Sequence, residues 1–130
     1  MNRPLHPSDW IRPSGYAHGI AAEGRYIVVA GQIGWNAQHE FQSDDFVEQA
    51  TQALRNIVAI LAEAHASPMH LVRLTWYVVS KREYLASAER LGTVYREIIG
   101  AHYPAMTLVE VSGLLEDRAK VEIEATAVVP

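Results

Sequence analysis

Two runs in this 130-residue chain, Tyr26-Ile-Val-Val-Ala30 and Leu71–Val79, are apolar on both of the faces that an extended strand presents. In the second run Val72, Leu74, Trp76 and Val78 fall on one side, and Leu71, Tyr77 and Val79 on the other. Such strands need cover on both faces of the sheet that holds them. Only two segments carry helical periodicity. The first opens at Asp45, with Glu48 three positions on as in a capping box. Val47, Ala50, Leu54, Ile57, Val58 and Leu61 then form one stripe, and the helix runs to about Ala64. The second spans about Lys81 to Ile99, with Tyr84, Ala88, Leu91, Tyr95 and Ile98 as its stripe and Gly100 just past its end. Two helices cover one face of a sheet. Monomers rarely leave a large apolar patch bare, so the other face must be buried against further copies of the chain. The sequence predicts an oligomer of closed rotational symmetry.

The remaining stretches complete the order. Met1–Ser14 contains Pro4, Pro7 and Pro13 and reads as an irregular arm. Tyr16–Ala22 and Arg25–Ile33 flank Glu23-Gly24, a two-residue turn signal that predicts a hairpin. Gly31 and Gly34 close that second strand, where glycine lets another group approach the backbone. Trp35–Ser43 is a polar loop, and Ser67-Pro68 breaks the first helix from the strand Leu71–Val79. Pro104 opens a strand over Ala105–Val111, Gly113–Arg118 is a turn, and Lys120–Val129 is the last strand. Its Val121, Ile123, Ala125, Ala127 and Val129 alternate with Glu122, Glu124, Thr126 and Val128. The prediction is a single α+β domain over residues 1–130, of order ββαβαββ, with two helices on one face of a mixed sheet.

Composition removes several kinds of function. The chain has no cysteine, so thiol nucleophiles and disulfides are absent. Net charge is −4 and no basic cluster is denser than Lys81-Arg82, which argues against nucleic acid as a partner. The stretch Met1–Trp10 has no apolar signal-like core, and no apolar run approaches the roughly 20 residues of a membrane span. A cytoplasmic protein with no membrane partner is expected. The six histidines show neither His-x-His nor His-Glu-x-x-His spacing, so no metal is expected. No Gly-x-Ser-x-Gly elbow, phosphate loop or dinucleotide fingerprint occurs, and no cofactor is expected.

Five short motifs in order carry a resemblance. They are Tyr16-Ala-His18 after Ser14-Gly15, Ala30-Gly31-Gln32-Ile33, Gln49 with Gln52-Ala-Leu-Arg-Asn56, Pro104-Ala-x-Thr107, and Val121-Glu122-Ile123-Glu124-Ala125. Together they resemble the RidA/YjgF family of reactive-intermediate deaminases, also labelled L-PSP endoribonucleases, over about Gly15 to Val129. The resemblance implies a chorismate-mutase-like α+β fold and a homotrimer with small-molecule clefts between subunits. It implies that Glu122 positions the attacking water, that Tyr16 lines the pocket, and that Gly31 precedes the pocket loop. The family's carboxylate-gripping arginine falls at Met106, its frequent cysteine at Leu108, and its second-helix asparagine at Gly92.

Met106 bears most on substrate. Hydrogen bonds to charged groups contribute about 1.5–3 kcal/mol each, and a carboxylate buried against methionine forgoes them. Amino-acid-derived imines such as 2-iminopropanoate are therefore expected to be poor substrates. Met106 suits an uncharged or more apolar group, unless Arg25, Arg73 or Arg118 supplies the missing cation. Glu122 is the candidate catalytic residue, with a structural ion-pair or hydrogen-bond role as the alternative. Glu124 is assigned to structure. His18 shares a strand face with Tyr16, Trp35 is a candidate loop lid, and backbone donors at Met106 and Thr107 are candidate substrate contacts. Two functions fit: hydrolytic deamination of a small enamine or imine, and a non-catalytic trimeric module binding a small metabolite or peptide. Cleavage of RNA fits least, because the chain lacks a basic stripe.

Overall fold

The computed structural model describes residues 2–130. Its elements are β1 (Arg3–Leu5), β2 (Gly19–Ala21), β3 (Arg25–Ile33), α1 (Phe46–Glu63), β4 (Leu71–Val78), α2 (Lys81–Ala86), α3 (Ala88–Ile98), β5 (Ala105–Glu110) and β6 (Val121–Val129). The main sheet has the order β3-β6-β4-β5. Strand β6 runs antiparallel to both β3 and β4, whereas β4 and β5 are parallel and joined through α2 and α3. The last strand of the sequence thus fills the middle of the sheet.

Alternation in β6 decides the two faces. Val121, Ile123, Ala125 and Ala127 join Leu54, Ile57 and Leu61 of α1 and Leu91 and Tyr95 of α3 in one core. Glu122, Glu124 and Thr126 lie on the face without helices. Leu74, Trp76 and Val78 of β4 enter the same core, while Tyr77 is on the open face, where its hydroxyl donates to Glu124 Oε1 at 2.8 Å. That bond raises the Tyr77 phenol above its ordinary pKa. A slip in register between Leu71 and Arg73 puts Leu71, fully buried, into the core in place of Val72. On β3 the two-sided run behaves as expected of an uncovered face: Val29 is buried, but Tyr26 and Val28 are 66% and 78% exposed.

Helix α1 starts as its sequence signal requires, with the Asp45 side chain accepting from Glu48 N at 2.9 Å. The reciprocal half of the capping box differs. The Glu48 carboxylate accepts from Ser43 Oγ, and Ser43 Oγ in turn accepts from Asp45 N at 2.9 Å, so Ser43 relays the bond. The helix ends with His65 at a φ of 56°, and the Ala64 carbonyl accepts from Arg25 Nη2 at 2.8 Å.

Three expectations need correction. The second helix is divided at Ser87 into α2 and α3. The predicted hairpin between Tyr16–Ala22 and β3 does not form. Ala17 pairs instead with Ala105 at the far edge of the sheet, held by its N–H on Pro104 O at 3.0 Å. From there to β3 the chain must cross about four strand spacings, roughly 19 Å, which uses most of the roughly 26 Å that eight extended residues reach. Too little chain is left for a strand beside β3. Gly19–Ala21 pairs with Arg3–Leu5, so the proline-bearing arm contributes a strand of its own. Among the described residues, no helix is long and apolar enough to cross a membrane.

Candidate active site

Glu122 lies at the point where β3 changes register. Between Val29 and Gln32 the pairing with β6 slips, so Ala30 and Gly31 together oppose a single position of the partner strand. The Glu122 side chain folds over Gly31, and a Cβ built on that glycine would sit 2.7 Å from the Glu122 Cδ. Glycine here is a requirement of close approach. Glu122 and Gly31 line a cavity of about 300 Å3 together with Trp35, His39, Leu115 and Glu116.

The loop carrying Trp35 is held in place. Asn56 of α1 donates to the Ile33 carbonyl at 3.3 Å and to the Trp35 carbonyl at 2.9 Å, and Gln52 donates to the Asn56 Oδ1 at 2.7 Å. Beyond Trp35, the Asn36 Oδ1 accepts from Gln38 N at 2.9 Å and from Glu40 N at 3.0 Å. His39, at a φ of 60°, stacks on the Trp35 ring with centroids 4.1 Å apart and planes 5° from parallel. Trp35, the candidate loop lid, therefore belongs to a tightly bonded turn. On the other side Gln49, 1% exposed, donates to the carbonyls of Ser43 and Arg118 and accepts from Lys120 N at 2.8 Å. It joins α1 to the start of β6, two residues before Glu122.

Met106 is elsewhere. Its partner in register is Leu74, and its side chain packs on the core face, opposite to Glu122. It lines a second cavity, of about 370 Å3, with Trp76, Tyr84, Leu91, Gly92 and Arg96, and with Ser14 and Gly15 from the segment before Tyr16. Trp76 is 4% exposed and its Nε1–H has no partner. Burial raises the Tyr84 phenol above its ordinary pKa and does the same to Tyr95, so both rings line the cavity as neutral groups.

The sequence-predicted residues thus fall into four places. Glu122, Gly31 and Trp35 share one cavity, Met106 lines another, and Thr107 is exposed beside Thr75. Tyr16 and His18 form an aromatic cluster with His6 and Trp10, the His18 ring lying 5.4 Å from Tyr16, 5.0 Å from Trp10 and 6.1 Å from His6. Of the proposed replacement cations, Arg25 caps α1 and Arg118 pairs with Asp44 at 2.9 Å and lies 5.3 Å over the Phe41 ring. Arg73 is exposed on β4. Sequence reasoning missed His39, Glu116 and Arg96. Their contact with the cavities depends on loop turns and helix phase that no single motif reports.

Comparison with known proteins gives a consistent picture. The family model described as Endoribonuclease L-PSP matches residues 11–129. A RutC family protein of Pyrococcus abyssi is 37% identical over 118 residues, covering 89% of this chain and 88% of its own. A 2-iminobutanoate/2-iminopropanoate deaminase of Escherichia coli is 32% identical over 113 residues, covering 87% and 86%. A crystal structure of a Rid family protein of unknown function from Yersinia pestis superposes with a TM-score of 0.84 at 33% identity, over 98% of each chain.

Proposed function

Because the chain belongs to the RidA/YjgF family, whose model is described as Endoribonuclease L-PSP, we propose that it hydrolyses the C=N bond of a small imine or its enamine tautomer. The observation that carries this reading is the Glu122 carboxylate folded over Gly31 inside a cavity walled by Trp35. In the proposed step Glu122 takes a proton from a bound water whose oxygen attacks the imine carbon, and passes that proton to the nitrogen. The carbinolamine then collapses, the C–N bond breaks, and one water and one imine have become a carbonyl compound and ammonia. Tyr16, His18, Thr107 and the backbone at Met106 are the proposed substrate contacts.

Glu122 and Met106 lie on opposite faces of one sheet, so a site using both requires two copies of the chain. A homotrimer with inter-subunit clefts meets that requirement and buries the open face. With methionine in the family's arginine position, the proposed substrate carries no carboxylate on the reacting carbon. The deaminase reading of the E. coli relative therefore transfers as a reaction, and its named substrates do not transfer with it.

The test is a panel of freshly generated imines, charged and neutral, assayed with the wild-type protein and with Glu122→Gln. Wild-type protein is expected to release ammonia from imines that carry no carboxylate on the reacting carbon and to add little to the uncatalysed hydrolysis of 2-iminopropanoate. Glu122→Gln should lose most turnover, about a hundredfold or more, while keeping assembly and melting temperature. Turnover that survives the substitution removes Glu122 from the mechanism. If the panel is not turned over at all, the non-catalytic binding module is the reading that stands.

A further inference from the structure

The cavity beneath Met106 has lost the family's arginine from its β5 wall, yet a guanidinium stands at its rim. Arg96 lines this cavity from α3, one turn after Gly92. Its Nη1 lies 3.3 Å from the position a Cβ on Gly92 would occupy, so the guanidinium lies across that glycine. Glycine inside a helix costs about 1 kcal/mol relative to alanine. Arg96 is exposed, and among the described residues it takes part in no ion pair. An arginine in the last turn of a helix favours the helix dipole wherever it points. That general benefit does not account for a guanidinium lying over a glycine at the mouth of an aromatic cavity.

We propose that this cavity binds an organic acid whose planar apolar body lies among Met106, Trp76, Tyr84 and Leu91, with its carboxylate on the Arg96 guanidinium. The cation now stands on α3 rather than on β5. The carboxylate it holds is therefore set apart from the reacting carbon by the body of the ligand. The aromatic lining favours a flat body, and about 370 Å3 is within the range of cavities that hold small ligands. The Tyr84 and Tyr95 phenols are neutral and do not repel an anion. As a statement of substrate class this rests on the imine-hydrolysis reading above. As a statement of binding it rests on the cavity and Arg96 alone.

The probe is 3-phenylpropionate, compared by calorimetric titration with its neutral amide, 3-phenylpropionamide, and with propionate, which lacks the ring. Wild-type protein is expected to bind the acid at least tenfold more tightly than either. Arg96→Gln should bring the acid to the level of the amide and leave the amide unchanged, and Arg96→Lys should keep part of the difference. Equal binding of acid and amide by the wild type, no saturable binding of the acid, or an Arg96→Gln variant with unchanged acid affinity would overturn the proposal. The two readings fail separately. Arg96-dependent binding without turnover of any imine defeats the deaminase reading alone, and turnover with acid binding indifferent to Arg96 defeats this one alone.

Discussion

At the scale of single residues, Gly31 and Glu122 form one unit. The alternation of β6 made Glu122 visible in the sequence as a carboxylate on a face of its own, and Gly31 was visible as a glycine near the end of a strand. Their contact was not visible, because it depends on a slip in register between β3 and β6 that side-chain pattern does not encode. The same limit applies to Met106, whose motif position was legible but whose face was not. Gly31→Ala tests the unit. The added Cβ would sit 2.7 Å from the Glu122 Cδ, so the carboxylate must leave its place. Turnover is expected to fall toward that of Glu122→Gln, with a stability loss of about 1–3 kcal/mol from crowding. A Gly31→Ala protein with full activity would show that the observed placement of Glu122 is not the working one.

Helix α1 is the element on which both the core and the Glu122 cavity depend. Its apolar stripe and its Asp45 cap were read directly from residue type and spacing, because both are local properties. Its amides Gln49, Gln52 and Asn56 were noted only as family motif residues. In the fold they hold β3, the Trp35 turn and the start of β6, partners up to 71 positions away in sequence. Gln49→Leu would leave Lys120 N and the carbonyls of Ser43 and Arg118 without their present partner. With each buried unpaired group costing about 1–3 kcal/mol, a loss of at least about 2 kcal/mol in chemical denaturation is expected. The cap itself is open to a pH test. Hydrogen bonds from Arg90 and from Glu48 N–H hold Asp45 below its ordinary value of 3.8. A depressed carboxylate stabilises the fold above its unfolded pKa and loses that contribution as pH falls through the folded one. Asp45→Ala should therefore cost about 1 kcal/mol at neutral pH, and the gap to wild type should close below about pH 4. A gap that widened in acid would mean that the charge on Asp45 opposes folding.

For the molecule as a whole, the question of assembly rests on the open face of the sheet. Runs apolar on both faces, with too few helices to cover them, predicted an oligomer, and the single chain leaves Tyr26 and Val28 66% and 78% exposed on that face. The division of the candidate site adds a functional reason for assembly. Glu122 occupies the open face and Met106 with Arg96 the helix side, so neither cavity has the whole chemistry within one chain. A sequence cannot report that division, because strand order and register decide it. Light scattering should give a mass three times the 14.5 kDa of the chain. Val28→Lys places a charge on the open face within the proposed contact, where an unpaired buried charge costs several kcal/mol, and should yield monomers at micromolar concentration. Those monomers keep Glu122, Gly31 and Arg96 in their own chain and are expected to retain the wild-type circular dichroism spectrum. Their imine hydrolysis should nevertheless fall with the fraction of trimer and recover at concentrations that restore it. A folded Val28→Lys monomer with undiminished turnover would show that one chain holds a complete site, and the argument for shared clefts would fail.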